Sequence, residues 1–142
     1  MEKHGLSPEA LQTIINKESG VLGISGLSND MREIEAADKA GDPMAVLALE
    51  MYEQRIIKYI GAYAAEMGGL DIIVFTGGVG ENQTGVRSNV CRPLGFMGVE
   101  IDTTVNDGIR GKEAVISTPA SRVKVCVIPT DEELMIAIVS KL

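Results

Sequence analysis

The sequence predicts an α/β domain, and three observations carry that reading. Two short β-branched apolar runs, residues 70–75 and 123–128, are placed as strands buried inside a sheet. A long stretch with apolar residues at steps of three or four precedes the first run, so helix passes directly into strand. Glycine follows the first run at once, in Thr76-Gly-Gly-Val-Gly-Glu-Asn82, where a crossover back to a parallel neighbour begins.

From the start, Ser7-Pro8-Glu9 reads as an N-cap with proline at the first helical position, and Leu11, Ile14 and Ile15 continue at helical spacing. In Ser19-Gly-Val-Leu-Gly-Ile-Ser-Gly-Leu-Ser28 the glycines among apolar residues predict backbone in close contact with something, and no regular element. A second helix is expected from Asp30 to Gly41. Asp42-Pro43 repeats the cap-then-proline signal and opens the long helix, whose apolar stripe is Leu49, Tyr52, Ile56, Ile60, Ala64 and Met67 and whose stop is Gly68-Gly69. Residues 70–75 form a continuous apolar run broken by Asp71 alone, which predicts a strand covered on both faces.

Beyond the glycine segment, Val86 and Val90 mark a helix ending near Pro93. Short strands are expected at 96–101 and 114–117, separated by a turn at Asn106-Asp-Gly108. The run 123–128 is the second strong strand, and residues 132–142 close the chain as a helix.

Composition narrows the function. The chain has 142 residues, 45% apolar and 23% charged, and a mean hydropathy of +0.14, the profile of a globular domain and not of a disordered segment. No apolar run reaches the ~18 residues a transmembrane helix needs, and the first residues lack a signal-like apolar region, which predicts a cytoplasmic protein without a membrane partner. With 13 Lys and Arg against 20 Asp and Glu the net charge is −7, so no field draws the chain to nucleic acid. The 2 cysteines, Cys91 and Cys126, lie in apolar surroundings without a CxxC spacing and are expected to be buried thiols. His4, the 1 histidine, stands too near the terminus for histidine acid–base chemistry confined to this chain.

Three segments can carry chemistry. Gly77, Gly78, Val79, Gly80, Glu81 and Asn82 stand where a strand hands over to a helix, the place where open α/β sheets bind ligands. Glycine lets the backbone approach a phosphate or a purine, and the helix start offers free N–H groups. The pattern is neither GxxxxGK[ST] nor GxGxxG, and a plain turn explains it equally well. Asp30, Met31 and Arg32 open the second helix: Arg32 offers a planar fork for phosphate or a face for a base, and Asp30 accepts from ribose hydroxyls. Asp30 with Glu33 also makes a capping-box pattern, which needs no ligand. In Pro129-Thr-Asp-Glu-Glu133, Thr130 and Glu133 satisfy a capping box, leaving Asp131 and Glu132 as carboxylates for Mg²⁺ or as ordinary acids at a helix start.

Together, in this order, these segments resemble acetate kinase and its propionate and butyrate kinase relatives. The blocks that carry the resemblance are Ser19 through Arg32, Asp71 through Asn82 with Arg87, Leu94-Gly, Gly98-Val-Glu-Ile-Asp102 with Asn106, and Ile128-Pro-Thr-Asp-Glu-Glu-Leu134. They look like that family's C-terminal blocks, with Val79, Gln83 and Asp131 as small departures. The resemblance implies part of an actin-like ATPase (RNase H-like) domain, with a truncated, mostly parallel sheet flanked by helices. It makes residues 1–142 one incomplete, nucleotide-binding domain. It further implies transfer of the ATP γ-phosphoryl to acetate, giving acetyl phosphate and ADP, with Mg²⁺ and in a homodimer. Residues 30–32 and 77–82 match the family's nucleotide contacts, and Glu132 matches its magnesium-associated glutamate. The acetate pocket and the residues that stabilise the transferring phosphoryl belong to family segments outside this sequence, so the chain alone is expected to bind nucleotide without turnover.

Overall fold

A computed structural model of the chain describes residues 5–131. They form two compact units, Met1–Arg55 and Ile56–Leu142, divided within one long helix.

In the first unit, α1 (Pro8–Thr13) starts at Ser7, whose Oγ accepts from the Ala10 amide at 3.1 Å, and runs into a π-helical turn over Ile14–Glu18. The glycine-rich stretch that follows is a helix after all, α2 (Gly20–Ser25), ended by Gly26 at φ 68°. Its glycines do separate work. Gly20 and Gly26 turn the chain at positive φ, while at Gly23 an added Cβ would lie 2.9 Å from the Glu18 carbonyl oxygen. The expected close backbone approach is therefore confined to Gly23. Next come α3 (Met31–Lys39) and α4 (Pro43–Met67), as the two cap signals predict; Asp42 Oδ1 accepts from the amides of Met44 and Ala45, each at 2.9 Å. Of the expected stripe, Leu49 and Ala64 are buried and Tyr52, Ile56 and Ile60 half-buried, but Met67 is 65% exposed, since α4 stops there before Gly68 at φ 73°.

The second unit is built on a small mixed sheet: β1 (Ile72–Phe75), β2 (Ala114–Val115) and β3 (Lys124–Val127), ordered β1-β3-β2. β3 runs parallel to β1, with Ile72 opposite Lys124, and antiparallel to β2. The expected mostly parallel sheet thus holds one parallel and one antiparallel pair among the described residues. Among the described residues β1 is covered on one face. Ile73 and Phe75 are buried with Val125, Val127 and Ile116, whereas Ile72 and Val74 are exposed. A continuous apolar run promised cover on both sides, and the described residues supply one.

After β1 come α5 (Gly77–Asn82), α6 (Thr84–Cys91) and a 3-10 turn over Arg92–Met97. The strand expected at 96–101 reduces to two bridges, Val99 with Val123 and Ile101 with Ser117, because Pro93 starts the 3-10 turn and leaves Phe96 82% exposed. The turn expected at Asn106 is a helix, α7 (Thr103–Gly108), capped by Asp102, whose Oδ1 accepts from the Val105 amide at 3.0 Å. Cys91 is buried, and Cys126, at the centre of β3, only half-buried. His4 and the closing helix at 132–142 lie outside the described residues. No helix among the described residues is long and apolar enough to cross a membrane.

Candidate functional site

Because β1 and β3 are parallel, their carboxyl ends adjoin, and there the glycine segment folds as a tight strand-to-helix turn. Each glycine answers a different demand. Gly77 takes φ 70° with open space around a would-be Cβ, so conformation requires glycine. Gly80 is buried against the strand end, where a Cβ would meet the Phe75 carbonyl carbon at 3.2 Å, so space requires it. Gly78 is exposed and has nothing within 4 Å of an added Cβ, and Val79 is half-buried.

Glu81 ties this turn to the end of β3. Its Oε1 accepts from the Gly77 amide and the Thr130 amide, both at 2.9 Å, and from Thr130 Oγ1 at 3.1 Å. These donors, the Thr130 amide foremost, hold its carboxyl below the usual glutamate range. One amide of the turn is thereby already engaged. Asn82 closes the turn from its far end, donating from Nδ2 to the Gly78 carbonyl at 2.9 Å.

Behind the turn lies a group whose importance the sequence reading missed. Arg87 is wholly buried, and its guanidinium donates to the Gly80 carbonyl (2.8 Å), Asn106 Oδ1 (2.7 Å), the Asn106 carbonyl (3.1 Å) and the Ile109 carbonyl (2.7 Å). Asn106, equally buried, donates from Nδ2 to the Thr84 carbonyl and to Ser88 Oγ, each at 3.0 Å. Burial pushes the Arg87 pKa down, and the Arg110 cation adds to that shift. A signal was available: Arg87 shares a helical face with Val90, Cys91 and Leu94 at steps of three, four and seven, a charge at a core position.

In the other unit, Asp30 is the N-cap of α3, its Oδ1 accepting from the Arg32 amide at 2.9 Å. The same carboxylate takes the Arg32 guanidinium bidentately, Nε to Oδ1 at 3.0 Å and Nη2 to Oδ2 at 2.6 Å, although the Arg32 side chain is 86% exposed. Met31 between them is half-buried. The capping box with Glu33 gives way to a shorter route, since the Asp30 amide donates to Ser28 Oγ at 3.0 Å. The Arg32 side chain, with the Arg32 amide second, lowers the Asp30 pKa from 3.8 to about 2. A depressed folded-state pKa contributes stability above the unfolded value and loses it as pH falls through the folded one, here between 3.8 and about 2. The Asp30 carboxyl carbon, followed by NMR, is expected to titrate near about 2. In Arg32→Ala the midpoint should move upward, the residue-32 amide retaining part of the shift; an unmoved midpoint would contradict the pair.

The structure thus gathers 77–82 into one turn and 30–32 at the start of α3, in different units. Glu132 lies outside the described residues, among which no cluster of three His, Cys, Asp or Glu side chains could hold a metal ion.

Similarity to known proteins fits this arrangement. The Acetokinase family model matches residues 1–138. The acetate kinase of Porphyromonas gingivalis is 60% identical over 137 residues, covering 96% of this chain and 34% of that protein. The crystal structure of Porphyromonas gingivalis acetate kinase superposes with a TM-score of 0.88 at 59% identity, over 97% of this chain and 35% of the other. That of a propionate kinase from Francisella tularensis does so with a TM-score of 0.83 at 39% identity, over 96% and 34%. The chain spans about a third of the length of the curated relatives it matches. With its glycine turn at the end of a parallel strand pair and its sequence matched from residue 1 to 138, this chain belongs to the acetokinase family.

Proposed function

We propose that this chain supplies the nucleotide side of an acetate kinase, in a whole protein that transfers the γ-phosphoryl of ATP to acetate and yields acetyl phosphate and ADP. The observation that carries this reading is the turn Gly77–Asn82 at the joined carboxyl ends of β1 and β3, fixed by Glu81 and Thr130. A turn held this firmly presents backbone to a ligand with little left to reorganise on binding. Asp30 fixes the plane of the exposed Arg32 guanidinium, leaving its face to stack on a base and its remaining N–H groups to reach oxygen.

The parent fold in this reading is actin-like, and the working protein is a cytoplasmic homodimer. Mg²⁺, when bound, screens the phosphate charge; Glu132 with the nucleotide's own oxygens is a donor set of the kind that ion takes. The rest of the family chain, about two thirds of it, holds acetate and the groups that stabilise the transferring phosphoryl. Phosphoryl transfer depends on positioning and charge stabilisation, so the chain alone binds nucleotide and does not turn it over. A propionate- or butyrate-using relative is the second reading, favoured by the similarity to the propionate kinase structure.

Calorimetric titration with ADP tests this. Binding is expected in the wild type, and Arg32→Ala should weaken it roughly tenfold, the equivalent of ~1.4 kcal/mol. Hydroxamate assays of the same chain with ATP and acetate should give no acetyl phosphate. ADP affinity indifferent to Arg32, or turnover by the chain alone, would overturn the proposal.

A further inference from the structure

We infer that Arg87 is a positioning residue for the nucleotide turn, holding the Gly80 carbonyl, and with it the backbone of 77–82, in register with α7. The inference rests on the nucleotide reading of that turn, but its geometry stands independently. Four acceptors converge on one guanidinium: the carbonyls of Gly80, Asn106 and Ile109 and the side-chain oxygen of Asn106. They come from two elements that the chain separates widely, α5 and the end of α7.

A second strap runs alongside, the Gly111 amide donating to the Glu81 carbonyl at 3.1 Å. Glu81 Oε1 then fastens the opposite side of the same turn to Thr130. The turn is thus tied both to Thr130, beyond β3, and, through Arg87, to α7. An apolar side chain would fill the core as well as a cation does, but would withdraw the arginine's donors from the Gly80 and Ile109 carbonyls and from Asn106 Oδ1, leaving the Asn106 carbonyl only the Ile109 amide. Only a planar fork can satisfy acceptors in several directions at once, and lysine, a point charge on a flexible stem, cannot.

Arg87→Lys separates positioning from mere core filling. Amide hydrogen exchange over residues 77–82 is expected to quicken about tenfold or more while β1 and β3 shift by less than about threefold, and the ADP dissociation constant should rise roughly tenfold. Equal loss of protection in the turn and in the strands would mark a purely structural arginine and overturn the inference. So would an unchanged turn. If the wild-type chain shows the coupled exchange pattern yet binds no ADP, the nucleotide reading falls while the positioning of the turn stands. Should Arg87→Lys fail to fold, native-state exchange of the wild type in rising urea decides. Residues 77–82 and 103–108 opening together at one denaturant dependence supports the inference, and 77–82 opening separately overturns it.

Discussion

Arg87→Met is expected to cost about 3–5 kcal/mol of folding stability, a large share of the ~5–15 kcal/mol that holds a typical domain. Methionine matches much of the arginine's volume, so the loss does not come from a cavity. It comes from the carbonyls of Gly80 and Ile109 and from Asn106 Oδ1, which lose the arginine as donor, while the Asn106 carbonyl keeps the Ile109 amide at 3.1 Å. Each buried group left unsatisfied costs ~1–3 kcal/mol, tempered where water enters. Asn106→Ala should cost about 2–4 kcal/mol by the same argument, since it strands the buried Arg87 Nε and removes the Asn106 bonds to the Thr84 carbonyl and Ser88 Oγ. The two residues share partners, so the double variant should fall short of the sum by ~0.5–3 kcal/mol. Urea denaturation of all four proteins gives the cycle. Strict additivity would show that Arg87 and Asn106 act separately.

Ile116→Ala is expected to cost about 2–5 kcal/mol, because it opens a cavity where β2 leaves the sheet. Ile116 is wholly buried; its amide donates to the Val125 carbonyl and its carbonyl accepts from the Asp102 amide, both at 2.8 Å. The backbone is therefore pinned on both sides, and the hole cannot collapse. Val74→Ala, a similar excision on the open face of the sheet, should cost under about 1 kcal/mol. Urea midpoints of the two variants are the check. Comparable losses would mean that the face bearing Ile72 and Val74 is covered in solution.

How much of this was legible beforehand follows the range of the forces involved. Helix starts were readable at Ser7, Asp30 and Asp42 because a cap is a contact between near neighbours in sequence, and each of the three carboxylate or hydroxyl caps forms. The strands 72–75 and 124–127 were readable from β-branched runs. α2 was not, because three glycines outweighed its apolar residues in any local estimate, though two of them only terminate the helix. Nor was α7, whose Asn-Asp-Gly carries turn chemistry until a buried arginine from 19 positions earlier claims Asn106. At the site, the glycine turn was visible as a pattern, but the role of Glu81 was not, since Thr130 stands 49 positions away. Family resemblance proposed nucleotide roles for residues that local chemistry left open, and said nothing of the buried contacts of Arg87 behind them.

The parallel pairing of β1 with β3 also sets the order in which this unit assembles. Ile72 meets Lys124 only after α5, α6 and α7 have been laid down between them. Closing so long a loop spends chain entropy before the ladder returns anything, whereas the helices between need only neighbours. Local helices are therefore expected to precede the sheet, and Glu81 receives Thr130 only once β3 has come to β1. The turn itself is local, but its tie to Thr130 is therefore expected among the last contacts of the unit to form, and a chain whose β3 has not reached β1 lacks it.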